Sequence, residues 1–221
     1  MNIGNASWQK KKPDPFTIEE AQKIVASMLE RYPQPVANYF EFMFFTGLRT
    51  SEGIGLEWND VDFNTKTILV RQGFVLGKME DTKTSKERTV SLNSMAFAAL
   101  KRQKAWTFLQ EGGRVFHDPA TNEPWPDEQN ARRRHWIPTL RLLGIRYRRP
   151  YSMRSTYATI GLMAGANPAY IAGQLGHGVD VFFKDYAAWI NGKHNATELD
   201  KIEAQIQGNI PKLSLANIKQ A

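Results

Sequence analysis

The chain has 221 residues, a hydrophobic content of 42% and a formal net charge of +7, which fit one large domain or two small ones with a sizeable core. It contains no cysteine, which excludes disulfides and thiolate metal sites. The sequence shows neither a signal-peptide core nor an apolar stretch long enough to span a bilayer, so we expect a cytoplasmic protein without membrane contact.

Residues 1–15 are basic and carry two prolines, which predicts an irregular lead-in. Thr17 and Glu20 stand at the spacing of a capping box, so we expect a helix to begin there. Further helices are predicted over 35–46 and 51–56, with Gly47 ending the first of them.

The hydrophobic period then changes to that of short strands, predicted over 60–63, 67–72 and 88–92 with a polar loop between the last two. After them we predict helices over 94–109, 127–143, 152–164, 168–175, 179–189 and 197–206, with Pro138 kinking or breaking its helix. The fold class is therefore α+β, mostly helical with a small three-stranded antiparallel sheet.

Positive charge is concentrated in one window of the sequence. From Gln129 to Val179 there is no aspartate, glutamate or lysine, yet there are eight arginines. Arginine used in this way is typical of forked recognition of phosphate, and it favours a polyanion-binding surface over a merely solvated helix face. The candidate DNA-binding residues are Arg132, Arg133, Arg134, Arg146, Arg148 and Arg149.

Several common chemistries lack their motifs. The four histidines are far apart in the sequence, and there is neither a Gly-x-Ser-x-Gly elbow nor a phosphate-binding Gly-x-x-x-x-Gly-Lys loop. Phosphoryl transfer without a metal or other cofactor remains open, because it needs only cations, a nucleophile and an acid for the leaving oxygen.

Three cations are candidates for such a site, and each has a structural alternative. Arg49 follows a glycine at the start of a short helix, where it could instead pair with Glu52. Arg154 lies beside the apolar stripe of its helix, where it could be a boundary arginine. Lys83 lies in the polar loop before the third strand, where a solvated lysine is common.

The segment LGHGVDVFFKDY, residues 175–186, contains His177 and ends at Tyr186. Phe182, Tyr186 and Trp189 fall on one helical stripe, which favours a core aromatic. A phenol has an ordinary pKa near 10, so as a nucleophile it would require activation by positive charge or by a base.

Taken together, four stretches resemble the catalytic domain of the tyrosine recombinases, the phage integrase family. They are TGLRTSEGIGLEWNDVD, TKTSKERTVSL, YSMRSTYAT and LGHG, and they occur in the family's order between Phe16 and Tyr186. His177 follows Arg154 by 23 residues and precedes Tyr186 by nine. Both spacings are similar to those of the family.

The resemblance implies a site-specific DNA recombinase with the fold of the DNA breaking-rejoining enzymes. Tyr186 would attack a scissile phosphate and form a 3′-phosphotyrosyl link. Arg49 and Arg154 would hold the non-bridging oxygens, His177 would donate a hydrogen bond, and Lys83 would protonate the leaving 5′ oxygen. No cofactor or metal would be needed.

The sequence departs from the family pattern at Tyr151, which stands where the second motif usually has histidine. A phenol can donate or accept a hydrogen bond but is a poor base near neutral pH. Two alternative functions therefore stay open: a type IB topoisomerase-like nicking-closing enzyme, and a DNA-binding module that has lost catalysis.

The resemblance also implies an organisation and partners. We expect a lead-in or linker over 1–15, a catalytic domain over 16–190, and a tail over 191–221 that packs either on its own domain or on a neighbouring subunit. The partner would be double-stranded DNA carrying attachment sites, bound by a homo-tetramer that is monomeric or weakly associated without DNA. Such a protein would lie with the nucleoid of a bacterial cell.

Overall fold

The computed structural model of the chain describes residues 12–75, 78–81, 87–190 and 203–206. Its helices are α1 (Ile18–Arg31), α2 (Gln34–Thr46), α3 (Thr50–Gly55), α4 (Ser94–Thr107), α5 (Glu128–Ala131), α6 (Ile137–Leu142), α7 (Ser152–Met163), α8 (Pro168–Leu175) and α9 (Val179–Ile190). Its strands are β1 (Val61–Asp62), β2 (Thr67–Val70), β3 (Gln72–Val75), β4 (Lys78–Asp81), β5 (Arg88–Ser91), β6 (His117–Asp118) and β7 (Glu123–Pro124).

The start of α1 is set by the predicted capping box. The Thr17 hydroxyl accepts a hydrogen bond from the Glu20 amide at 3.1 Å, and the Glu20 carboxylate accepts one from the Thr17 amide at 3.0 Å. These two bonds satisfy amides that a helix N-terminus otherwise leaves open.

Helix α2 is the centre of the larger hydrophobic core. It is buried around nearly its whole circumference, as expected of a helix covered on every side. Helices α1, α4 and α7 pack against it. Phe40 and Phe44 of α2 contact the indole of Trp136, which joins the arginine-rich segment to this core.

The predicted three-stranded antiparallel sheet is confirmed, with the strand order β1-β2-β5. Ile68 of β2 pairs with Val61 on one side and with Val90 on the other. Ile68 and Val90 are fully buried, so one face of the sheet belongs to the core.

The polar loop predicted between the second and third strands is partly wrong. Strands β3 and β4 form an antiparallel hairpin there, with Gln72 opposite Asp81. Its first strand packs on α3, where a side chain at Gly73 would lie 3.2 Å from Ser51. The sequence of this hairpin shows no strand alternation, and it is the packing of β3 against α3 that local propensity does not reveal.

The single helix predicted over 127–143 is divided. Residues Arg132–Trp136 form a π-helical turn between α5 and α6, in which the Ile137 amide donates to the Arg132 carbonyl. Pro138 has no amide hydrogen and its ring would crowd the preceding turn, so the wider turn relieves the clash that a continuous α-helix would meet.

Helices α7, α8 and α9 pack around a second, smaller apolar cluster. A side chain at Gly161 of α7 would lie 2.7 Å from Ile171 of α8, so these two helices approach closely. Residues 203–206 are helical and exposed, and the rest of the predicted helix over 197–206 lies outside the described residues. Among the described residues, no helix is long and apolar enough to cross a membrane.

Candidate active site

Arg154 stands on the first turn of α7 and is buried, with 1% of its surface exposed. Its Nη1 donates to the Gly47 carbonyl at 2.9 Å, and its Nη2 donates to the Leu175 carbonyl. The alternative of a boundary arginine with a solvated head group is therefore wrong. This one guanidinium joins the end of α2, the start of α7 and the end of α8.

The environment of Arg154 makes its charge costly. Burial lowers its pKa to about 10, and the positive charge of Arg49 acts in the same direction, while Glu52 opposes them. A bound anion would relieve this repulsion between cations, so the surroundings of Arg154 favour an anionic ligand.

Gly47 makes the contact with Arg154 possible. It ends α2 with a positive φ of 65°, which a residue with a side chain rarely adopts. A Cβ atom there would also lie 2.7 Å from Tyr157 and from Leu175. The turn before Arg49 is thereby held directly against α7 and α8.

Arg49 is the N-cap residue of α3, with a quarter of its side chain exposed. Its Nη1 donates to Glu52 Oε1 at 2.7 Å and its amide donates to Glu52 Oε2 at 2.8 Å. The pairing with Glu52 that we considered as a structural alternative is thus present. The charge of Arg49 also acts on Arg154, whose pKa it lowers.

Arg88 is a further residue of this site that the sequence interpretation missed. Its Nη1 and Nη2 donate to the two carboxylate oxygens of Glu52 at 3.0 and 2.8 Å. Its Nε donates to the Gln174 carbonyl at 3.0 Å. A signal was available, since Arg88 is in phase with the buried Val90 along β5 and an inward arginine requires a partner.

Glu52 is buried among these cations. Burial alone would raise its pKa, but the hydrogen bonds and charge of Arg88, together with the charge of Arg154, lower it to about 2. Glu52 is therefore ionised throughout the neutral range, and it holds two arginines in fixed orientations.

Tyr186 of α9 is buried, with 3% of its surface exposed. Its ring packs against Phe182 and Trp189, as the aromatic stripe predicted. The hydroxyl donates to Oγ of Ser155 at 3.4 Å, and Ser155 is the next residue after Arg154. Burial raises the pKa of Tyr186, while Ser155 and the charge of Arg154 oppose that shift.

The structure describes two of the three remaining predicted site residues, Tyr151 and His177. Tyr151 caps α7 and is half exposed, and its carbonyl accepts from the Arg154 amide at 3.1 Å. His177 is half-buried after the end of α8, and its amide donates to the Ala172 carbonyl at 2.9 Å. Lys83 lies outside the described residues. Its place in the site stays a prediction.

The six arginines predicted to bind DNA do not form one uniform surface. Arg133 and Arg149 are exposed, and Arg132 is half-buried in the π-helical turn. Arg134 and Arg146 are exposed but paired, with Asp118 and Asp14 respectively.

Arg148 is the least exposed member of this set, with 12% of its side chain accessible. It binds Asp14 and Glu20, and its guanidinium lies 4.4 Å from the centre of the Phe16 ring. These contacts attach the segment before α7 to the start of α1. DNA binding by the set of six stays a prediction.

The matches to known proteins agree with this geometry. The model of the phage integrase family matches residues 16–189, most of the chain. The chain belongs to the phage integrase family.

Two relatives of this integrase-family chain come from Escherichia coli (strain K12). The prophage integrase IntR is 32% identical over 204 residues, which cover 81% of this chain and 48% of IntR. IntQ, which is named a defective protein, is 30% identical over 210 residues, covering 83% of this chain and 52% of IntQ. The chain spans about half the length of these relatives.

The fold is shared with the Tn1549 transposon integrase, whose structure was solved in complex with transposon right end DNA. The two structures superpose with a TM-score of 0.72 at 19% sequence identity, covering 88% of this chain and 67% of that one. This likeness confirms the predicted fold class.

Proposed function

We propose that the chain cuts and rejoins DNA as a site-specific recombinase, with Tyr186 as its nucleophile. The observation that carries the proposal is the hydrogen bond from the Tyr186 hydroxyl of α9 to Ser155, the residue after Arg154 on α7. The charge of Arg154 acts on this hydroxyl, and a nucleophile near cationic groups fits attack on a phosphodiester.

In the proposed reaction, the Tyr186 oxygen attacks the scissile phosphorus as the phenol gives its proton to water. Arg49 and Arg154 hold the two non-bridging oxygens, where negative charge accumulates in the transition state. The bond to the 5′ oxygen breaks, and Lys83 gives that oxygen a proton. The products are a 3′-phosphotyrosyl link and a free 5′ hydroxyl, and rejoining reverses the step.

His177 and Tyr151 complete the proposed phosphate site. His177 lies two residues after Leu175, whose carbonyl accepts from Arg154, and its imidazole is proposed to donate a hydrogen bond to the same phosphate. Tyr151 stands one turn before Arg154 at the start of α7. Its phenol donates a hydrogen bond to the phosphate rather than accepting the nucleophile's proton.

Binding of DNA has to make the nucleophile accessible, because Tyr186 is buried and its pKa is raised by that burial. Phosphate placed between Arg49 and Arg154 competes with Ser155 for the phenol. This rearrangement breaks the hydrogen bond of 3.4 Å between Tyr186 and Ser155, and it exposes part of a ring that packs against Phe182 and Trp189.

Double-stranded DNA is the proposed partner, and the arginine-rich window is its proposed contact surface. Arg133 and Arg149 supply exposed charge and Arg132 a half-buried one, while Arg134 and Arg146 become available when they exchange Asp118 and Asp14 for phosphate. Arg148 stabilises this surface through its ion pairs with Asp14 and Glu20. The proposed assembly on attachment sites is a homo-tetramer.

A covalent-capture experiment tests the proposal. A pool of nicked duplexes with randomised sequence around the nick is incubated with the protein, and adducts that resist denaturant are recovered and sequenced. We expect an adduct with the wild type and none with Tyr186→Phe, which keeps the ring packing.

Other outcomes separate the alternatives. An equal adduct in both proteins would remove Tyr186 from the nucleophile role. DNA binding without any adduct would favour the inactive module. Relaxation of supercoiled plasmid without joining of two captured sites would favour the topoisomerase-like activity.

A further inference from the structure

We infer that Arg88 is a positioning residue of the cleavage site, and that it prevents Glu52 from neutralising Arg49. This inference rests on the proposed function and extends it to a residue that need not touch DNA. Arg88 lies at the start of β5, five residues after Lys83 in the sequence, with 11% of its side chain exposed.

The carboxylate of Glu52 is saturated with donors. Oε1 accepts from Arg49 Nη1 and Arg88 Nη1, at 2.7 and 3.0 Å. Oε2 accepts from the Arg49 amide and Arg88 Nη2, both at 2.8 Å. A carboxylate offers about four lone-pair positions, and all of them are used.

Arg88 therefore limits the number of Arg49 N–H groups that can bind Glu52. With Arg88 in place, Arg49 uses one guanidinium nitrogen on Glu52 and keeps its other N–H groups for a ligand. Without Arg88, two lone pairs on Glu52 open, and Arg49 is the nearest cation able to occupy them in a two-pronged pair.

Loss of Arg88 also lowers the positive charge of the site. Arg49, Arg88 and Arg154 together with Glu52 carry a net charge of about +2. Loss of Arg88 reduces this to about +1 in a buried setting, where each unit of charge acts strongly on a phosphate. The positive field that stabilises the pentacovalent phosphorus is thereby weakened.

Arg88 also fixes the backbone that leads to His177. Its Nε binds the Gln174 carbonyl, and the Gln174 side chain accepts from the Ser91 amide of β5 at 2.7 Å. Gly176 has a positive φ of 65°, and a Cβ there would lie 3.1 Å from the Arg88 guanidinium. The strand after Lys83 is thus attached to the helix end before His177.

The test uses the nicked duplex enriched from the randomised pool, and it measures single-turnover cleavage at saturating DNA together with DNA affinity. We expect Arg88→Gln to slow cleavage at least about tenfold. Its DNA dissociation constant should change by less than about threefold, because the side chain is covered by protein.

Arg102→Gln is the matched control. Arg102 pairs with Glu41, which like Glu52 has 3% of its surface exposed, but this pair lies between α2 and α4. Both substitutions remove one arginine partner from a buried glutamate and should lower thermal stability. At a temperature where both variants are folded, Arg102→Gln should cleave at the wild-type rate.

A double variant separates positioning from general support of the fold. Glu52→Gln combined with Arg88→Gln removes one charge of each sign and restores the net charge near Arg154. We expect it to cleave at least about threefold faster than Arg88→Gln alone. Because all variants are compared at a temperature where they are folded, a recovery of stability alone would not change the cleavage rate.

The outcomes are distinct. Wild-type cleavage by folded Arg88→Gln would overturn the inference and leave the proposed function standing, and so would slow cleavage without recovery in the double variant. Absence of any adduct with the wild type would overturn the proposed function, and the inference with it.

Discussion

The hydroxyl of Tyr186 donates a hydrogen bond to Oγ of Ser155 at 3.4 Å. Ser155 follows Arg154 on α7, so the proposed nucleophile contacts the residue next to the buried arginine. Helix α9 is thereby connected to the helix that carries the central arginine. The bond also keeps the phenol inside the smaller apolar cluster in the absence of DNA.

Loss of this bond should be visible as a coupling energy. Ser155→Ala and Tyr186→Phe each remove one partner, and we expect a coupling of about 0.5–1.5 kcal/mol in a double-mutant cycle measured by chemical denaturation. Strictly additive effects would show that the bond does not form in solution.

Gly47→Ala should damage both stability and cleavage. The left-handed conformation costs about 1–2 kcal/mol with a side chain present, and the contacts of 2.7 Å with Tyr157 and Leu175 add about 1–3 kcal/mol. Gly112→Ala is the control, because Gly112 has a φ of +81° but no atom within 4 Å of a built Cβ. Equal losses in the two variants would contradict the close packing at Gly47.

Glu52 should contribute to acid denaturation. Its pKa is lowered from 4.5 to about 2 in the folded protein, so its contribution to stability is present above pH 4.5 and is lost as the pH falls toward 2. The contribution is on the order of 3 kcal/mol. Glu52→Gln should therefore flatten the decline in the free energy of unfolding over this range.

Glu41→Gln is the counterpart with the opposite sign. Burial raises the pKa of Glu41 despite the attraction of Arg102, so its contribution to stability falls as the pH rises. Glu41→Gln should remove this fall above pH 4.5 and leave the decline between pH 4.5 and 2 unchanged. If the free energy of unfolding of Glu52→Gln and Glu41→Gln depended on pH in the same way, the lowered pKa of Glu52 would be contradicted.

At alkaline pH the buried Tyr186 should destabilise the fold. Because burial raises its pKa above 10, the unfolded chain loses the phenolic proton first, and stability falls as the pH rises past 10. Tyr186→Phe should reduce this fall in urea unfolding curves recorded between pH 9 and 11. Tyr147→Phe, which removes an exposed phenol, serves as the comparison.

Salt dependence tests the proposed DNA surface. If Arg133 contacts a phosphate, Arg133→Gln should reduce the slope of log affinity against log salt concentration by about 1. Lys23→Gln in α1 makes the same charge change at an exposed site outside the arginine-rich window. Equal slopes for Arg133→Gln and Lys23→Gln would show that Arg133 does not contact DNA.

The sequence by itself determined the features that depend on neighbouring residues. The capping box at Thr17, the glycine end of α2 and the aromatic stripe of α9 follow from local hydrogen bonding and helical spacing, and all three are present. The ordered motifs around Arg49, Arg154 and Tyr186 likewise indicated the family, which the family match confirms.

Only the tertiary structure decided what depends on segments far apart in the chain. Arg88 meets Glu52 across 36 positions, and Tyr186 meets Ser155 across 31. The β3–β4 hairpin forms where it can pack against α3, although its sequence is typical of a polar loop. Burial and pairing of charge are properties of the packed chain, because a side chain's partner and solvent exposure are set by residues that sequence spacing does not connect.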